Sequence, residues 1–121
     1  MNNEENGMKD ENIIKDKSMA FAVRIVGLYK YLSERHEFVM SKQVLRSGTS
    51  IGANVREAVY GQSRRDFISK MSIALKEAAE TEYWIELLYK TDYLQEDSYK
   101  SILADSQELC RLLTAIVNSS K

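Results

Sequence analysis

Residues 66–91, DFISKMSIALKEAAETEYWIELLYKT, decide the fold class, because their apolar residues recur at helical spacing over about seven turns. Ser63 precedes this stretch and, with Asp66 three residues later, resembles the capping box that begins many helices. The apolar stripe consists of Phe67, Met71, Ala74, Ala78, Ile85 and Leu88. We therefore predict a helix over residues 63–91, whose length of about 43 Å is typical of the long axis of a helical bundle.

Apolar residues recur with the same period in three further segments, and we predict helices over residues 17–35, 41–60 and 96–118. Ser41 is the predicted N-cap of the second helix, and Gly61 is its predicted C-terminal stop. The chain contains no proline and five glycines, so it offers few positions for a turn. Four amphipathic helices with short connections predict an all-α fold, an antiparallel up-down-up-down four-helix bundle.

The length of 121 residues and the hydrophobic fraction of 44% indicate one compact domain. Residues 1–12 are mostly polar or charged and contain too little apolar surface to offset the entropy of ordering. We predict a flexible N-terminal tail over residues 1–14 and a four-helix domain over residues 15–121. Ile13 and Ile14 leave two alternatives open, either the start of a helix or a contact with a neighbouring element.

The expected cellular location follows from the N-terminus, the hydropathy and the cysteine content. No secretory signal begins the chain, and no apolar stretch is long enough to span a membrane. The single cysteine, Cys110, lies in an apolar helical stripe, which agrees with a reducing compartment. We therefore expect a cytoplasmic protein that makes no contact with a membrane.

The charged residues are unevenly distributed, although 17 basic and 18 acidic side chains give the chain a net charge of −1. Residues 41–70 have a net charge of +4. Phosphate binding requires several cations within reach of one nucleic-acid backbone, which this segment can supply. The candidate nucleic-acid-binding residues are Lys42, Arg46, Arg56, Arg64, Arg65 and Lys70. The alternative is a solvated helix face balanced by Glu57, Asp66 and the acidic last third of the chain.

The residues required for catalysis or metal binding do not occur in a recognised arrangement. A di-metal site in a helical bundle needs carboxylates paired with histidines, and the one histidine, His36, lies in a predicted connection. Ser47 and Ser50 lie within a helix, with no histidine nearby in sequence to activate either hydroxyl. Gly48 and Gly52 lack the Lys-Ser/Thr pair of a phosphate-binding loop. We therefore expect no enzymatic activity, no metal and no cofactor.

Large aromatic side chains lie close together near the end of the third helix. Consecutive residues on a helix point about 100° apart, so Tyr83, Trp84 and Ile85 cannot all face one core. At least one of these side chains must contact something else, and excess apolar surface is typical of a subunit interface. We predict that Tyr83, Trp84 and Tyr89 contribute to an interface between copies of the chain.

The stretch from Phe21 to Val117 resembles, in four matching segments, the four-helix bundle proteins encoded by intervening sequences within 23S ribosomal RNA genes. The segments are FAVRIVGLYKYL, SKQVLRSGTSIGANVREA, DFISKMSIALKEAAETEYWIELL and ELCRLLTAIV. The resemblance implies a protomer that assembles into a ring-like homopentamer, and it implies no catalytic residues. The family carries a ribosomal-protein label, but the resemblance does not imply a component of the ribosomal subunits. A related branch, the accessory variability protein of diversity-generating retroelements, is a pentamer that binds a reverse transcriptase and nucleic acid.

The block RSGTSIGANVREA, residues 46–58, is the most specific part of the resemblance. The residues that stand in this signature block are Arg46, Ser47, Ser50, Asn54 and Glu57. We predict that the two serines and the asparagine allow close helix packing, because they are small and polar. We predict that the arginine and the glutamate act as partners in ion pairs.

These observations together predict a non-enzymatic, oligomeric four-helix bundle that acts as a binding or scaffold module. The expected partners are further copies of the chain and either RNA, DNA or a nucleic-acid enzyme. The alternative is a purely structural ring that binds other proteins and no nucleic acid. Under that alternative the basic residues of segment 41–70 are only solvated.

Overall fold

The structure, a computed structural model, describes residues 3–120 and the side chains of residues 9–120. Residues 3–120 form four helices and no strand, which confirms the prediction of an all-α fold. The helices are α1 (Asn3–Glu34), α2 (Met40–Val59), α3 (Arg64–Lys90) and α4 (Glu96–Ser120).

Each helix packs against the next one along the chain, and α4 closes onto α1 in the smallest of the four helix–helix contacts. The connections have only four or five residues, so neighbouring helices run antiparallel. This arrangement agrees with the predicted four-helix bundle. The ring-like homo-oligomer stays a prediction.

The core of the bundle consists of apolar stripes from all four helices. The stripe predicted for α3 is buried at Met71, Ala74, Ala78, Ile85 and Leu88, and its first residue, Phe67, packs half-buried against the core. A buried threonine, Thr81, occupies the position that the apolar pattern leaves open between Ala78 and Ile85. The long helix α3 therefore supplies the predicted stripe together with one polar side chain inside it.

The predicted start of the first helix near residue 17 is wrong, because α1 begins at Asn3. Ile14 is fully buried, so the boundary predicted between residues 14 and 15 does not separate a tail from the bundle. The physical reason is the spacing of seven residues between Ile14 and Phe21, which places both side chains on one face of a helix. Flexibility of residues 3–12 stays a prediction, and residues 1 and 2 lie outside the described residues.

The N-terminus of α2 is capped by a glutamate and not by the predicted Ser41. The helix begins at Met40, and Ser41 lies inside its first turn. The buried Glu37 carboxylate accepts hydrogen bonds from the N–H groups of Val39, Met40 and Ser41 at 3.2, 3.0 and 2.6 Å. Burial opposes ionisation of Glu37, but these hydrogen bonds outweigh it, so the pKa of Glu37 is lowered. At α3 the predicted cap is confirmed, since Ser63 Oγ accepts from the Asp66 N–H at 3.0 Å.

Helices α1 and α3 end on residues with left-handed backbone conformation, His36 (φ 62°) and Asp92 (φ 69°). The N–H of Glu37 donates to the Leu32 carbonyl at 2.9 Å, which is the bond that defines a Schellman ending. Gly61 follows the end of α2 as predicted, but no glycine among the described residues has a positive φ. The left-handed positions therefore belong to His36 and Asp92, where a side chain adds strain.

Candidate nucleic-acid interface and assembly surfaces

The six predicted nucleic-acid-binding cations do not form one patch. Lys42 lies in the first turn of α2 and Arg56 in its last turn, so about 21 Å of helix separates their backbones. Arg56 is in the last turn of α2, and Arg64 and Arg65 are the first two residues of α3, across the short α2–α3 turn. The structure therefore divides the predicted zone into a cluster at this turn and single residues further along α2.

Arg46 is held in ion pairs and is not available as a separate cation. Its Nη1 lies 3.3 Å from Glu77 Oε2, and its Nη2 contacts Glu80 Oε2. The same Glu80 oxygen accepts a hydrogen bond from Trp84 Nε1 at 3.0 Å. Arg46 thereby links α2 to α3, which places this residue of the signature block in a structural contact.

Lys70 is also paired, since its Nζ lies 3.2 Å from Glu57 Oε2. At the turn, the Arg64 guanidinium lies over the Phe67 ring at 5.4 Å from its centre. Within residues 9–120, neither Arg56 nor Arg65 makes an ion pair. These contacts leave three of the six predicted cations, Arg56, Arg64 and Arg65, exposed at one end of the bundle.

An exposed tyrosine lies at the same turn of the chain, in a pocket that is lined by two acidic residues, Glu57 and Asp66, and by no arginine. Tyr60 is the C-cap of α2 and 72% of its surface is exposed. It was not among the site residues predicted from the sequence, although its position four residues after Arg56 places both on one helix face. We call Arg56, Tyr60, Arg64 and Arg65 the arginine end. An exposed tyrosine ring at the same turn as exposed arginines is suited to stack on a base while the cations contact phosphates.

The other residues of the signature block have separate roles within the protomer. Ser47 is fully buried, and its hydroxyl is hydrogen bonded to the Thr81 hydroxyl at 2.9 Å across α2 and α3. Ser50 Oγ donates to the Arg46 carbonyl at 2.6 Å, and Asn54 Nδ2 donates to the Ser50 carbonyl at 2.9 Å. The last two contacts lie within α2, so only Ser47 of this polar band reaches another helix through a hydrogen bond.

The close approach between α1 and α2 takes place at two glycines. A Cβ atom on Gly48 would lie 2.7 Å from Ile25 Cγ1, and one on Gly52 would lie 3.4 Å from the Ser18 carbonyl oxygen. Contacts inside the protomer therefore explain both glycines, because a larger residue at either position would clash with α1.

The predicted interface residues on α3 are placed differently from one another. Tyr83 is exposed and meets Trp84 edge-to-face, with ring centres 5.0 Å apart. Trp84 is half-buried against the core, and Tyr89 stacks on Tyr99 of the same chain at 4.0 Å. Of the three, Tyr83 is the residue that offers mostly free surface to another molecule.

A larger exposed apolar surface lies on α1, at residues not predicted from the sequence. Met19, Val23 and Val26 are exposed on the side of α1 that faces away from the core, and Val23 is 65% exposed. The segment MAFAVRIVGLY, residues 19–29, contains one charged residue, Arg24, which pairs with Asp105 at 2.7 Å. We call Met19, Val23 and Val26 the α1 outer face. A helical segment of eleven residues with a single charged side chain was the sequence signal for this face.

A cavity of about 430 Å³ opens between α1 and α4, where the bundle is least tightly packed. Its apolar floor consists of Leu28, Leu94 and Ile102, which are core residues with a small remaining exposure. Its rim includes Gly27, Tyr31 and Ser98. We call this opening the α1–α4 cavity.

The remaining chemistry of the part of the chain that the structure describes concerns its metal-binding side chains and its cysteine. No group of three His, Cys, Asp or Glu side chains there is arranged to hold a metal ion. Burial and the neighbouring Glu82 raise the pKa of the Cys110 thiol, against the opposing effect of Arg111, so the thiol form is favoured. No helix among the described residues is long and apolar enough to cross a membrane. The expectations of a non-enzymatic and cytoplasmic protein stay predictions.

Comparison with known proteins gives a family match and matches to solved structures. The family model described as "23S rRNA-intervening sequence protein" matches residues 10–115. A crystal structure of a protein of unknown function from the S23 ribosomal protein family of Bacteroides thetaiotaomicron is 62% identical in sequence and has a TM-score of 0.88. The similarity covers 90% of this chain and 98% of that chain. No curated protein matches the chain in sequence.

Proposed function

This chain belongs to the 23S rRNA-intervening sequence protein family, and on that premise we propose that it is a non-enzymatic, self-associating four-helix bundle that binds RNA or DNA through its arginine end. The observation that carries the proposal is that residues 56–65, around the α2–α3 turn, contain three exposed arginines and Tyr60, which is 72% exposed.

The arginine end has the two chemical components of a binding site for single-stranded nucleic acid. Arginine forms bidentate hydrogen bonds with phosphate oxygens, and a tyrosine ring stacks on an unpaired base. With three arginines per copy and a net charge of −1, one copy is expected to bind only weakly. Several arginine ends in one assembly bind more tightly by avidity, which is the reason that self-association belongs to the proposal.

The α1 outer face supports self-association. A helical segment with one charged residue in eleven has excess apolar surface, and Met19, Val23 and Val26 have no partner among the described residues that covers them. A second copy of the chain can cover the α1 outer face, because the two copies are always present together at equal concentration. The ring-like homopentamer expected from the family resemblance is part of this proposal.

The test is a salt titration of binding to a single-stranded RNA and a DNA of the same sequence. For the unaltered chain we expect log K to fall linearly with log salt. The double variant Arg64→Gln/Arg65→Gln should reduce the magnitude of that slope by about 1.4, since two phosphate contacts are lost and each contributes about 0.7 on a single strand. The variant Tyr60→Ala should weaken binding by about 1–3 kcal/mol and leave the slope unchanged, because stacking carries no charge.

The matched control is Lys90→Gln/Lys100→Gln, which removes the same charge from exposed residues at the other end of the bundle. This control should leave the salt slope almost unchanged. If the unaltered chain binds neither nucleic acid at low salt, or if the control and the arginine variant lower the slope equally, the proposed nucleic-acid site is wrong.

The alternative function is an assembly that binds only proteins, including a nucleic-acid enzyme. The ion pairs of Arg46 and Lys70 favour it, because they remove two of the predicted cations from a phosphate site. Under this alternative, light scattering at micromolar concentration gives the mass of several protomers while RNA and DNA binding are both absent.

A further inference from the structure

Two apolar side chains project from the turn between α1 and α2. Phe38 and Val39 are 51% and 74% exposed, and Val39 is the most exposed large apolar residue in the described chain. An edge-on contact of Phe38 with the His36 ring leaves both side chains mostly exposed. We call these two residues the Phe38–Val39 knob.

The turn that carries the knob is fixed by hydrogen bonds on both sides. On the α1 side, the Schellman bond between Glu37 N–H and the Leu32 carbonyl ends the helix. On the α2 side, the buried Glu37 carboxylate accepts hydrogen bonds from the N–H groups of three residues, including Val39. The His36 ring also meets Phe38 edge-on, with ring centres 6.0 Å apart. A turn held in this way loses little conformational entropy when the knob binds a partner.

The α1–α4 cavity has the size and the lining to receive an apolar side chain. Its floor of Leu28, Leu94 and Ile102 is apolar, and its volume is about 430 Å³. A cavity of about 150 Å³ already accommodates benzene, so there is room for the Phe38 ring and for the Val39 side chain beside it. Neither knob residue lines the cavity of its own copy, because the knob lies between α1 and α2.

No contact inside the described protomer explains why residue 27, on the cavity rim, is a glycine. It lies within α1, where glycine lowers helix stability relative to alanine, and a Cβ atom there would meet nothing within 4 Å. Gly48 and Gly52, by contrast, are explained by contacts with α1. A glycine beside open space in a helix leaves room for an element outside the protomer to approach the backbone there.

We propose that the Phe38–Val39 knob of one copy inserts into the α1–α4 cavity of a second copy, next to Gly27. This contact specifies the self-association of the proposed function and rests on it. Because knob and cavity are different surfaces, the contact is heterologous, and it produces a closed ring if the rotation between copies closes.

The charges around the two surfaces are complementary. The one charged residue that lines the cavity, Arg24, is paired with Asp105. The bordering residues 91–97 contain three acidic side chains, of which Glu96 is paired with Lys100, so Asp92 and Asp97 give this side its net negative charge. The exposed charged residues that flank the knob are Glu34, Arg35 and Lys42, with a net charge of +1. This difference favours a knob approaching the acidic side of another copy over two knobs approaching each other.

The first test measures the assembly mass of two variants by light scattering at micromolar concentration. Gly27→Leu fills the cavity opening but has space inside the protomer, so helicity and thermal stability of the protomer should be retained. Phe38→Ala removes the larger part of the knob. We expect each variant to weaken association at least tenfold, so that the mass falls towards that of one 13.9 kDa chain. The matched control is Tyr83→Ala, an exposed aromatic residue outside knob and cavity, which should keep the full assembly mass.

The second test identifies which surfaces meet. In a Cys110→Ala background, chains with Phe38→Cys and chains with Ser98→Cys are mixed and oxidised. A disulfide between the two kinds of chain, and little between chains of one kind, is the expected result.

The outcomes distinguish this contact from the proposed function. If the unaltered chain has the mass of one protomer, both self-association and the knob contact are overturned. If the unaltered chain assembles but Gly27→Leu and Phe38→Ala have the same mass as it, the knob contact is overturned while self-association stands. Disulfides that form mainly between two Phe38→Cys chains also overturn the heterologous contact.

Discussion

The interface between α2 and α3 and the interface between α1 and α4 differ in how completely the protomer closes them. The α2–α3 interface contains the buried hydrogen bond of Ser47 with Thr81 and the ion pairs of Arg46 with Glu77 and Glu80. The α1–α4 interface is the smallest in the bundle and contains exposed ion pairs above a cavity of about 430 Å³.

This difference assigns the two interfaces to different tasks. A buried hydrogen bond that fixes the register between two helices stabilises one arrangement of the protomer. An open interface with an apolar floor instead leaves surface that another molecule can cover. Substitutions at α2–α3 should therefore change the free energy of unfolding, whereas substitutions at α1–α4 should mainly change assembly.

The largest effect on stability is expected from Thr81→Val. Valine has nearly the shape of threonine but lacks the hydroxyl, so the fully buried Ser47 hydroxyl loses its partner on α3. An unpaired buried hydroxyl costs about 1–3 kcal/mol, and we expect a loss of about 2 kcal/mol in the free energy of unfolding. Urea denaturation at one protein concentration measures this loss.

The control for Thr81→Val is the double variant Ser47→Ala/Thr81→Val. Because both polar partners are removed together, it should recover most of the stability lost in the single variant. A double variant that is less stable than Thr81→Val by a further 2 kcal/mol would contradict the role assigned to this hydrogen bond.

The fold was predictable because the apolar period is regular in the long central segments. Met71, Ala78 and Ile85 follow one another at seven-residue intervals, and this pattern depends on no distant contact. Ile14 continues the pattern of α1, but the polar residues before it dominate the local composition, so its burial was missed. The Glu37 cap was missed because the capping group acts from a position outside the helix, while Ser41 offers the usual residue type.

The candidate site was less predictable, since it depends on which residues meet across helices. Arg46 lies 31 and 34 residues from its partners Glu77 and Glu80, and only the register of α2 against α3 brings them together. The same register removes Lys70 from the predicted patch by pairing it with Glu57. The arginine end was predicted only in part, because exposure of Tyr60 is a property of the folded turn.

A smaller effect, with a characteristic pH dependence, is expected from Glu37→Gln. The carboxylate accepts three backbone hydrogen bonds at the start of α2, and replacing it should cost about 1 kcal/mol. The pKa of Glu37 is lower in the folded chain than its ordinary value of 4.5, so its contribution is complete above that pH. The contribution is lost as the pH falls through the lower folded pKa.

Urea denaturation of both proteins between pH 7 and pH 3 checks this prediction. The stability difference between the unaltered chain and Glu37→Gln should be constant above about pH 5 and should shrink below it. A difference that grows as the pH falls has the wrong sign for a carboxylate with a lowered pKa, and it would exclude the capping role.

The smallest effects come from the exposed ion pairs, and they test whether the two interfaces differ in charge contacts as they do in burial. At α1–α4, Asp105→Asn breaks one pair with Arg24, whose side chains are both well exposed, and should change stability by less than about 0.3 kcal/mol. At α2–α3, Arg46→Gln breaks contacts with two carboxylates and leaves Glu77 and Glu80 facing each other's charge, so about 0.5 kcal/mol should be lost. Raising the salt concentration to about 0.5 M should remove most of the difference between the two variants, because screening weakens the repulsion that Arg46 relieves. Equal losses at low salt would mean that Arg46 contributes no more to the α2–α3 interface than a single surface pair does.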